Sequence, residues 1–224
     1  MSKRPTLRAP RERIEGITYP FVEAYLEQLL RPRREPLRRM EKQAIREGIP
    51  IIGPTVAPLL TLIAGITKAR EILEIGTAIG YSTIWFAMAA KQAKGKVTTV
   101  ELDEDRAEEA EENIREAGLS KYVNVIRGDI AKRLNRLKGP YDLIFIDTAE
   151  ELYLPLLDPC VSRLRVGGIL MADNVLWSGL VAEEGRDEVA DLMREFNKRL
   201  YEHPHLSPVI LPFRDGLAVC QKTD

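Results

Sequence analysis

The sequence predicts an α/β fold in which a doubly wound, mostly parallel β-sheet carries helices on both faces. Through the middle of the 224-residue chain, short apolar runs rich in β-branched residues alternate with longer amphipathic runs. Such alternation is typical of parallel sheets with right-handed crossovers. Towards the end, two apolar runs flank Arg214-Asp215. This pattern predicts a C-terminal hairpin that closes the sheet with an antiparallel strand.

Three extra helices are predicted before the sheet. Residues 17–30 and 56–66 have helical apolar spacing, and Pro36 and Gly48 mark the ends of a helix over 36–48. Residues 1–16 are expected to form an arm. We therefore expect a single domain over residues 1–224, in which an N-terminal arm and helices (1–66) cover an α/β core (67–224).

Five strands precede the hairpin, and helices connect them. The predicted strands are 71–76, 96–102, 123–129, 141–147 and 168–173, followed by the hairpin strands 207–213 and 216–222. Helices are predicted over 82–93, 103–118, 151–164 and 188–203. Strands and helices thus alternate in the order that a doubly wound sheet requires.

The composition excludes several classes of protein. Apolar residues make up 45% and charged residues 30%, which is typical of a folded globular chain. No run approaches the roughly 18–20 apolar residues of a membrane span, and no secretory signal is visible. Cys160 and Cys220 lack metal-ligand spacing, so we expect buried thiols and a cytoplasmic location. The two histidines, His203 and His205, are expected at the surface.

The charge is unevenly distributed. Residues 1–46 contain twelve Lys or Arg and six Glu, which gives +6, whereas the rest of the chain carries −7 to make the total of −1. The simplest explanation of this excess of positive charge is that the basic residues lie on solvent-exposed faces of helices. The alternative is a contact surface for an anionic partner such as a nucleic acid.

An acid lies at the end of each of the five parallel strands. These acids are Glu74, Glu101, Asp129, Asp147 and Asp173. The carboxyl ends of parallel strands share one edge of the sheet, where ligands bind in such folds. Because unpaired carboxylates cost free energy when buried, their clustering there predicts a ligand site.

The turn after the first strand narrows the choice of ligand. Gly76 and Gly80 are separated by three residues, which differs from the G-x-G-x-x-G pattern of dinucleotide sites, and no P-loop lysine follows. The next helix presents free N–H groups. An acidic edge favours a cationic ligand, and Glu101 at the end of the second strand suits ribose hydroxyls. S-adenosylmethionine (SAM) has both features.

A second ligand is predicted at the next two strand ends. Asp147, Asp173 and Asn174 offer two carboxylates and an amide oxygen, a set of hard donors that suits Mg²⁺, or alternatively Mn²⁺ or Ca²⁺. Asn174 is also explained by a turn, because Asp-Asn pairs are common in turns.

From about Leu37 onwards, the sequence resembles the SAM-dependent O-methyltransferases of the catechol and caffeoyl-CoA type. The matching stretches are LEIGTAIGYSTIW (73–85), VELDEDRAEEAEENIREAG (100–118), YDLIFID (141–147), GGILMADNVLWSGLV (167–181) and LPFRDGLAV (211–219). The resemblance implies a seven-stranded, Rossmann-like methyltransferase fold and a homodimer. It also implies that the N-terminal helices cover the substrate, together with residues 175–186.

The resemblance also assigns roles to individual residues. Glu74, Gly76, Thr77, Gly80 and Ser82 would line the methionine part of SAM, Glu101 would bind the ribose, Gly128 and Asp129 would lie by the adenine, Asp147 would lie beside SAM, and Asp147, Asp173 and Asn174 would bind the metal. In the family, a lysine three residues after the strand-four aspartate acts as the base.

Here the sequence departs from the family, because Glu150 stands in place of that lysine. Asp147 and Glu150 are the candidate catalytic residues. Glu150 could act as the base, it could support the metal site, or the reaction could need no protein base. A surface acid at a helix N-terminus is the simplest alternative.

Three functions therefore remain open. The first is a metal-assisted O-methyltransferase for a small, catechol-like phenol. The second is a tRNA methyltransferase that uses the basic N-terminal segment to bind phosphates. The third is a SAM-binding protein that has lost catalysis. We expect a phenolic substrate, no membrane partner, and nucleic acid only under the second function.

Overall fold

Seven strands form one sheet in the described part of the chain, which comprises residues 17–185 and 187–224 of a computed structural model. The strands are β1 (Glu71–Ile75), β2 (Lys96–Glu101), β3 (Val123–Arg127), β4 (Tyr141–Ile146), β5 (Leu164–Ala172), β6 (Leu206–Leu211) and β7 (Leu217–Lys222). Their order is β3–β2–β1–β4–β5–β7–β6. The first five strands are parallel, and β7 pairs antiparallel with both β5 and β6. The predicted fold class is thus confirmed.

Helices precede and connect the strands as the sequence predicts. They are α1 (Pro20–Leu29), α2 (Leu37–Glu47), α3 (Ala57–Ile66), α4 (Tyr81–Ala93), α5 (Glu104–Glu116), α6 (Ile130–Arg133), α7 (Tyr153–Arg163) and α8 (Glu188–Glu202). The short α6 was not predicted. The arm expected over residues 1–16 lies outside the described residues. The division into one domain stays a prediction.

The sheet is covered on both faces, which is why β1 and β4 are almost continuously apolar. On one face, β1 and β4 pack against α3, α4 and α5 through residues such as Ile72, Leu60 and Phe86. On the other face, α6, α7 and α8 cover the sheet through residues such as Ile144 and Phe196. The carboxyl ends of the five parallel strands lie at one edge of the sheet, the edge at which ligands bind in such folds.

One boundary was predicted wrongly. β5 begins at Leu164 rather than at residue 168, so the preceding helix ends at Arg163. Leu164 pairs with Tyr141, and the register then shifts before Leu143 pairs with Ile169. Local periodicity does not reveal this early pairing, because it depends on a strand that is distant in the sequence.

The last strand in the sequence, β7, lies inside the sheet. β6 is the edge strand, and it contains Pro208, a residue that sheets tolerate chiefly at edges. Cys160 and Cys220 are free and buried, as expected. None of the described helices is long and apolar enough to cross a membrane. The cytoplasmic location stays a prediction.

Some of the basic residues in the N-terminal segment form ion pairs with glutamates of the same chain. Arg33 contacts Glu41 at 2.5 Å, Arg39 contacts Glu116 at 2.5 Å, and Arg46 contacts its neighbour Glu47. These ion pairs provide a structural role for three of the basic residues. The first five Lys or Arg residues lie in the segment 1–16, outside the described residues.

Candidate functional site

The turn that joins β1 to α4, residues 76–80, forms the first part of the site, and we call it the glycine turn. Gly76 has φ +101°, and a Cβ atom at this position would lie 1.7 Å from the carbonyl oxygen of Asp147. Only glycine allows the end of β4 to approach so closely. Gly80 precedes α4, and no side chain caps this helix. The first N–H groups of α4 are therefore free of side-chain acceptors, as the sequence predicts.

Glu101, the last residue of β2, holds the glycine turn. Its Oε2 accepts hydrogen bonds from the backbone N–H groups of Thr77 at 3.1 Å and Ala78 at 2.7 Å. Its Oε1 accepts one from the N–H of Asp103 at 3.0 Å. Hydrogen bonds to a charged acceptor are stronger than neutral ones. The structure thus gives Glu101 a role in shaping the turn that sequence reasoning had not included.

Glu74 lies beneath the glycine turn and is completely buried. Its Oε2 accepts a hydrogen bond from the hydroxyl of Thr83, whereas its Oε1 has no hydrogen-bond partner among the described residues. Burial raises the pKa of Glu74 to about 7, although the hydroxyls of Thr83 and Ser82 oppose the rise. Such an unpartnered buried oxygen is a feature that a ligand could satisfy.

Two other candidate residues point inward. Ser82 is buried, and Thr77 is 1% exposed, with its hydroxyl 2.6 Å from that of Thr99. Thr77 therefore offers its backbone to the glycine turn and its side chain to the core. The structure places these two residues with Glu74 at the base of the turn.

Gly128 and Asp129 follow β3 at the same edge of the sheet. The N–H of Gly128 donates to the carbonyl of Glu101 at 2.7 Å, which places it beside the end of β2. Asp129 caps α6, because its Oδ1 accepts a hydrogen bond from the N–H of Ala131 at 2.9 Å. Asp129 therefore has a structural role in addition to any role in binding a ligand.

The second part of the site is the group Asp147, Glu150 and Asp173, which we call the acidic cluster. Asp147 follows β4 and Asp173 follows the adjacent β5, so both stand at one edge of the sheet. Burial and the nearby charge of Glu150 raise the pKa of Asp147 to about 6. Burial and the charge of Asp147 raise the pKa of Asp173 well above its ordinary value. The carboxylates thus repel one another, which is costly unless a cation is bound.

Asn174 follows Asp173 with φ +63°, a left-handed conformation that asparagine adopts more readily than most residues. The turn interpretation is therefore correct for its backbone, and its side chain can still supply an amide oxygen. Tyr153 supports the same segment, since its hydroxyl donates to the carbonyl of Asp173 at 3.0 Å. Asp147, Asp173 and Asn174 are thus brought to one edge, as predicted.

Glu150 begins a short 3₁₀ segment, Glu150–Leu152, and it is half-buried. Its charge raises the pKa values of Asp147 and Tyr153, so the carboxylate lies close enough to act on the acidic cluster. A solvated surface acid would have little such effect, because water screens its charge. Glu150 therefore belongs electrostatically to the site.

The donors fit a hard divalent cation better than a transition metal. Among residues 17–185 and 187–224, no three His, Cys, Asp or Glu side chains are grouped in a way that could hold a metal ion. The candidate set has only two carboxylates, Asp147 and Asp173, and its third donor is the Asn174 amide. Such a set leaves positions for water and substrate oxygens, which suits Mg²⁺.

Sequence reasoning missed two residues at the site. Arg214 lies in the β6–β7 turn. Burial raises the pKa values of Asp147, Asp173 and Asp215, and the positive charge of Arg214 partly opposes this rise. Asn113 of α5 is 1% exposed and donates from Nδ2 to the carbonyl of Ile79 in the glycine turn at 2.9 Å. Its spacing from Ala107 and Ala110 marks it as part of a buried helix face, a signal that could have identified it.

Comparison with known proteins gives a consistent result. The O-methyltransferase family model matches residues 26–223. A catechol O-methyltransferase of Niastella koreensis is 34% identical over 210 residues, covering 88% of this chain and 95% of that protein. A putative O-methyltransferase from Klebsiella pneumoniae superposes with a TM-score of 0.82 at 30% identity, covering 91% of this chain and 97% of that one. The same TM-score, at 29% identity and the same coverage, is found for an O-methyltransferase from Bacillus cereus in complex with SAH.

Proposed function

Since the chain belongs to the O-methyltransferase family and is a SAM-dependent enzyme of the catechol and caffeoyl-CoA type, we propose that it methylates a hydroxyl of a small catechol-like phenol with the help of a divalent cation. The observation that supports this proposal most directly is the acidic cluster. Asp147 and Asp173 follow adjacent strands, and Asn174 follows Asp173. Burial and the charge of Glu150 raise the pKa of Asp147, and burial and the charge of Asp147 raise the pKa of Asp173.

We assign the SAM site to the glycine turn and its neighbours. The free N–H groups at the start of α4 would bind the carboxylate of SAM, because a helix N-terminus favours anions. Glu101 would accept the ribose hydroxyls while it holds the turn. Glu74 and Ser82 would lie beneath the methionine part, and Gly128 and Asp129 beside the adenine.

We assign the cation to Asp147, Asp173 and Asn174. When bound, a divalent cation would act as a Lewis acid that favours the deprotonated acceptor hydroxyl. The acceptor oxygen then attacks the methyl carbon of SAM, the carbon–sulfur bond breaks, and the proton of the hydroxyl passes to water. The protein contributes mainly by holding the acceptor in line with the sulfonium.

We propose that Glu150 supports the cation site through its charge and does not replace the family's lysine as an obligatory base. Its carboxylate raises the pKa of Asp147 without forming a hydrogen bond to another described residue. A negative charge at this position increases the attraction for a cation. On this proposal the carboxylate of Glu150 has a use at the position where the family has its lysine.

The test is methylation of catechol, with phenol as a matched acceptor that lacks the vicinal hydroxyl. We expect SAM-dependent formation of the monomethyl ether from catechol with Mg²⁺, little after treatment with a chelator, and little from phenol. Full activity after chelation would refute the cation assignment, and equal turnover of phenol would refute the vicinal-hydroxyl requirement. SAM binding without turnover of any catechol would favour the lost-catalysis alternative.

We further propose a homodimer formed through α1. This helix has no buried residue in the described chain, and Tyr19, Phe21, Tyr25 and Leu29 are exposed. Exposed apolar faces of this kind mark contact surfaces. We expect light scattering to give twice the monomer mass for the native protein and the monomer mass for Phe21→Glu. A monomeric native protein would refute this proposal.

A further inference from the structure

Arg214 occupies an unusual position in the turn between β6 and β7. Its backbone has φ +50°, a left-handed conformation that is unfavourable for arginine. Residues are held in such conformations when their surroundings fix them, and they are common at functional sites. The contacts of Arg214 show what fixes it.

Arg214 joins two N-terminal segments to the hairpin. Its Nη1 donates to the carbonyls of Ile51 at 3.2 Å and Ile52 at 2.6 Å. Its carbonyl accepts a hydrogen bond from the N–H of Ile17 at 2.7 Å, and its N–H donates to the hydroxyl of Thr18 at 3.3 Å. A Cβ atom on residue 53 would lie 2.1 Å from Nη1, so Gly53 is required for this contact.

These two segments are themselves connected, and we call residues 17–23 and 51–55 the cover. The hydroxyl of Thr55 donates to the carboxylate of Glu23. A Cβ atom on Gly179 would lie 3.4 Å from the side chain of Ile17, so the cover also lies against residues 177–182, which follow the acidic cluster in the sequence.

The turn that carries Arg214 is also bound to the segment after Asp173. The carbonyl of Asp215 accepts from the N–H of Leu176 at 2.9 Å, and that of Gly216 accepts from Val175 at 3.0 Å. Arg214 therefore stands between the cover and the acidic cluster. Among the described residues, it is the only basic group that acts on both Asp147 and Asp173.

We propose that Arg214 is a positioning residue that fastens the cover over the acceptor side of the site and thereby sets the affinity for the acceptor. We call the contacts of Arg214 with the cover the clasp. The clasp does not depend on which reaction the protein catalyses, whereas its effect on the acceptor rests on the proposed function. SAM binding should not depend on the clasp, because Glu101 holds the glycine turn separately.

The experiment compares Arg214→Met, Arg214→Lys and a matched control, Arg163→Met. Arg163 also donates to three backbone carbonyls, those of Leu134, Leu137 and Pro159, but its contacts lie away from the cover and the acidic cluster. Backbone hydrogen exchange is measured over residues 17–23 and 51–55. KM is measured for catechol and for SAM with Mg²⁺.

For Arg214→Met we expect the rate of backbone hydrogen exchange in the cover to rise about tenfold. The KM for catechol should also rise about tenfold, and the KM for SAM should not change. Arg214→Lys should recover part of both effects, because it keeps the charge and one donor group. Arg163→Met should lower thermal stability without changing exchange in the cover.

Unchanged exchange in Arg214→Met would overturn the clasp. Faster exchange in the cover with an unchanged KM for catechol would overturn the effect on the acceptor. If the native protein methylates no catechol, the proposed function fails, and the exchange comparison alone still decides whether Arg214 fastens the cover.

Discussion

The glycine turn and the acidic cluster lie side by side at one edge of the sheet, yet they are stabilised in opposite ways. The backbone of the turn is held by hydrogen bonds, because Glu101 accepts three from N–H groups in and beside it. In the acidic cluster, by contrast, burial and the charge of Glu150 raise the pKa of Asp147, and burial and the charge of Asp147 raise the pKa of Asp173. The comparison teaches that hydrogen bonds hold the glycine turn, whereas the acidic cluster holds like charges close together, as the proposed cation site requires.

The sharpest test of this contrast is Asp147→Asn. We expect activity to fall by on the order of a hundredfold or more, because a ligand of the proposed cation site is removed, while the ligand-free protein keeps or gains thermal stability. Asp142→Asn at the other end of β4 is the control. Asp142 bonds to Arg165 and to two backbone N–H groups, so this variant should lose stability and keep activity. If both variants changed activity and stability in the same direction, the difference between the glycine turn and the acidic cluster would not hold.

On the SAM side, Glu101→Gln should weaken both binding and stability. We expect KM for SAM to rise by about tenfold or more, and the free energy of unfolding to fall by about 2 kcal/mol. The amide of Gln has one acceptor oxygen where Glu101 uses two, so at least one hydrogen bond is lost and the others lose their charged acceptor. Steady-state kinetics with varied SAM and denaturant unfolding would measure these two effects. Glu104→Gln, an exposed neighbour, is the control. Weaker binding without a loss of stability would mean that Glu101 does not hold the turn.

The acidic cluster should also give a characteristic dependence of stability on pH. The pKa of Asp147 is raised from 3.8 to about 6 in the folded state, so the folded chain binds this proton more tightly than the unfolded chain does. Its contribution therefore falls as pH rises from about 4 to about 6. Chelator-treated protein should show this fall in unfolding experiments, and Asp147→Asn should show less of it. Mg²⁺ should stabilise the protein more at about pH 7 than at about pH 5, which lie roughly one unit above and below this pKa.

Most of the fold could be predicted from the sequence, together with the edge of the sheet at which the candidate residues lie. The strands were visible because β-branched runs are bounded by glycines and acids, and the acids marked the carboxyl edge. The early start of β5 was missed because Leu164 pairs with Tyr141 through a register shift. Arg214 was missed because its partners, Ile51 and Ile52, lie more than 160 positions away. Only the packed chain brings such groups together.

A smaller effect is expected from Asn113→Ala, which removes the link between α5 and the glycine turn. Asn113 also accepts a hydrogen bond from Arg39 of α2 at 2.8 Å, so the link extends to the N-terminal helices. We expect KM for SAM to rise roughly threefold and stability to fall by about 1–3 kcal/mol. Steady-state kinetics and denaturant unfolding would measure these effects. Asn124→Ala, at an exposed position of β3, should change neither. If only the KM for the acceptor changed, Asn113 would not act through the glycine turn.

The smallest effect is expected from Glu150→Gln. If its charge supports the cation without acting as an essential base, activity should fall by less than about tenfold and should be largely restored by higher Mg²⁺. Glu151→Gln, the exposed neighbour, should be neutral. If Glu150→Gln were as inactive as Asp147→Asn, Glu150 would be as necessary for activity as the proposed metal ligand Asp147.

The position of β7 has a consequence for the synthesis of the protein. β7 is inserted between β5 and β6 although both precede it in the sequence, and Asp215 and Gly216 hold the segment after Asp173. While the chain emerges from the ribosome, the open edge of β5 therefore has no partner until residues 217–222 have left the exit tunnel. A nascent chain in this state exposes an unpaired strand, which favours aggregation. The segment after Asp173 can consequently reach its final hydrogen bonding only after residues 215–222 have emerged.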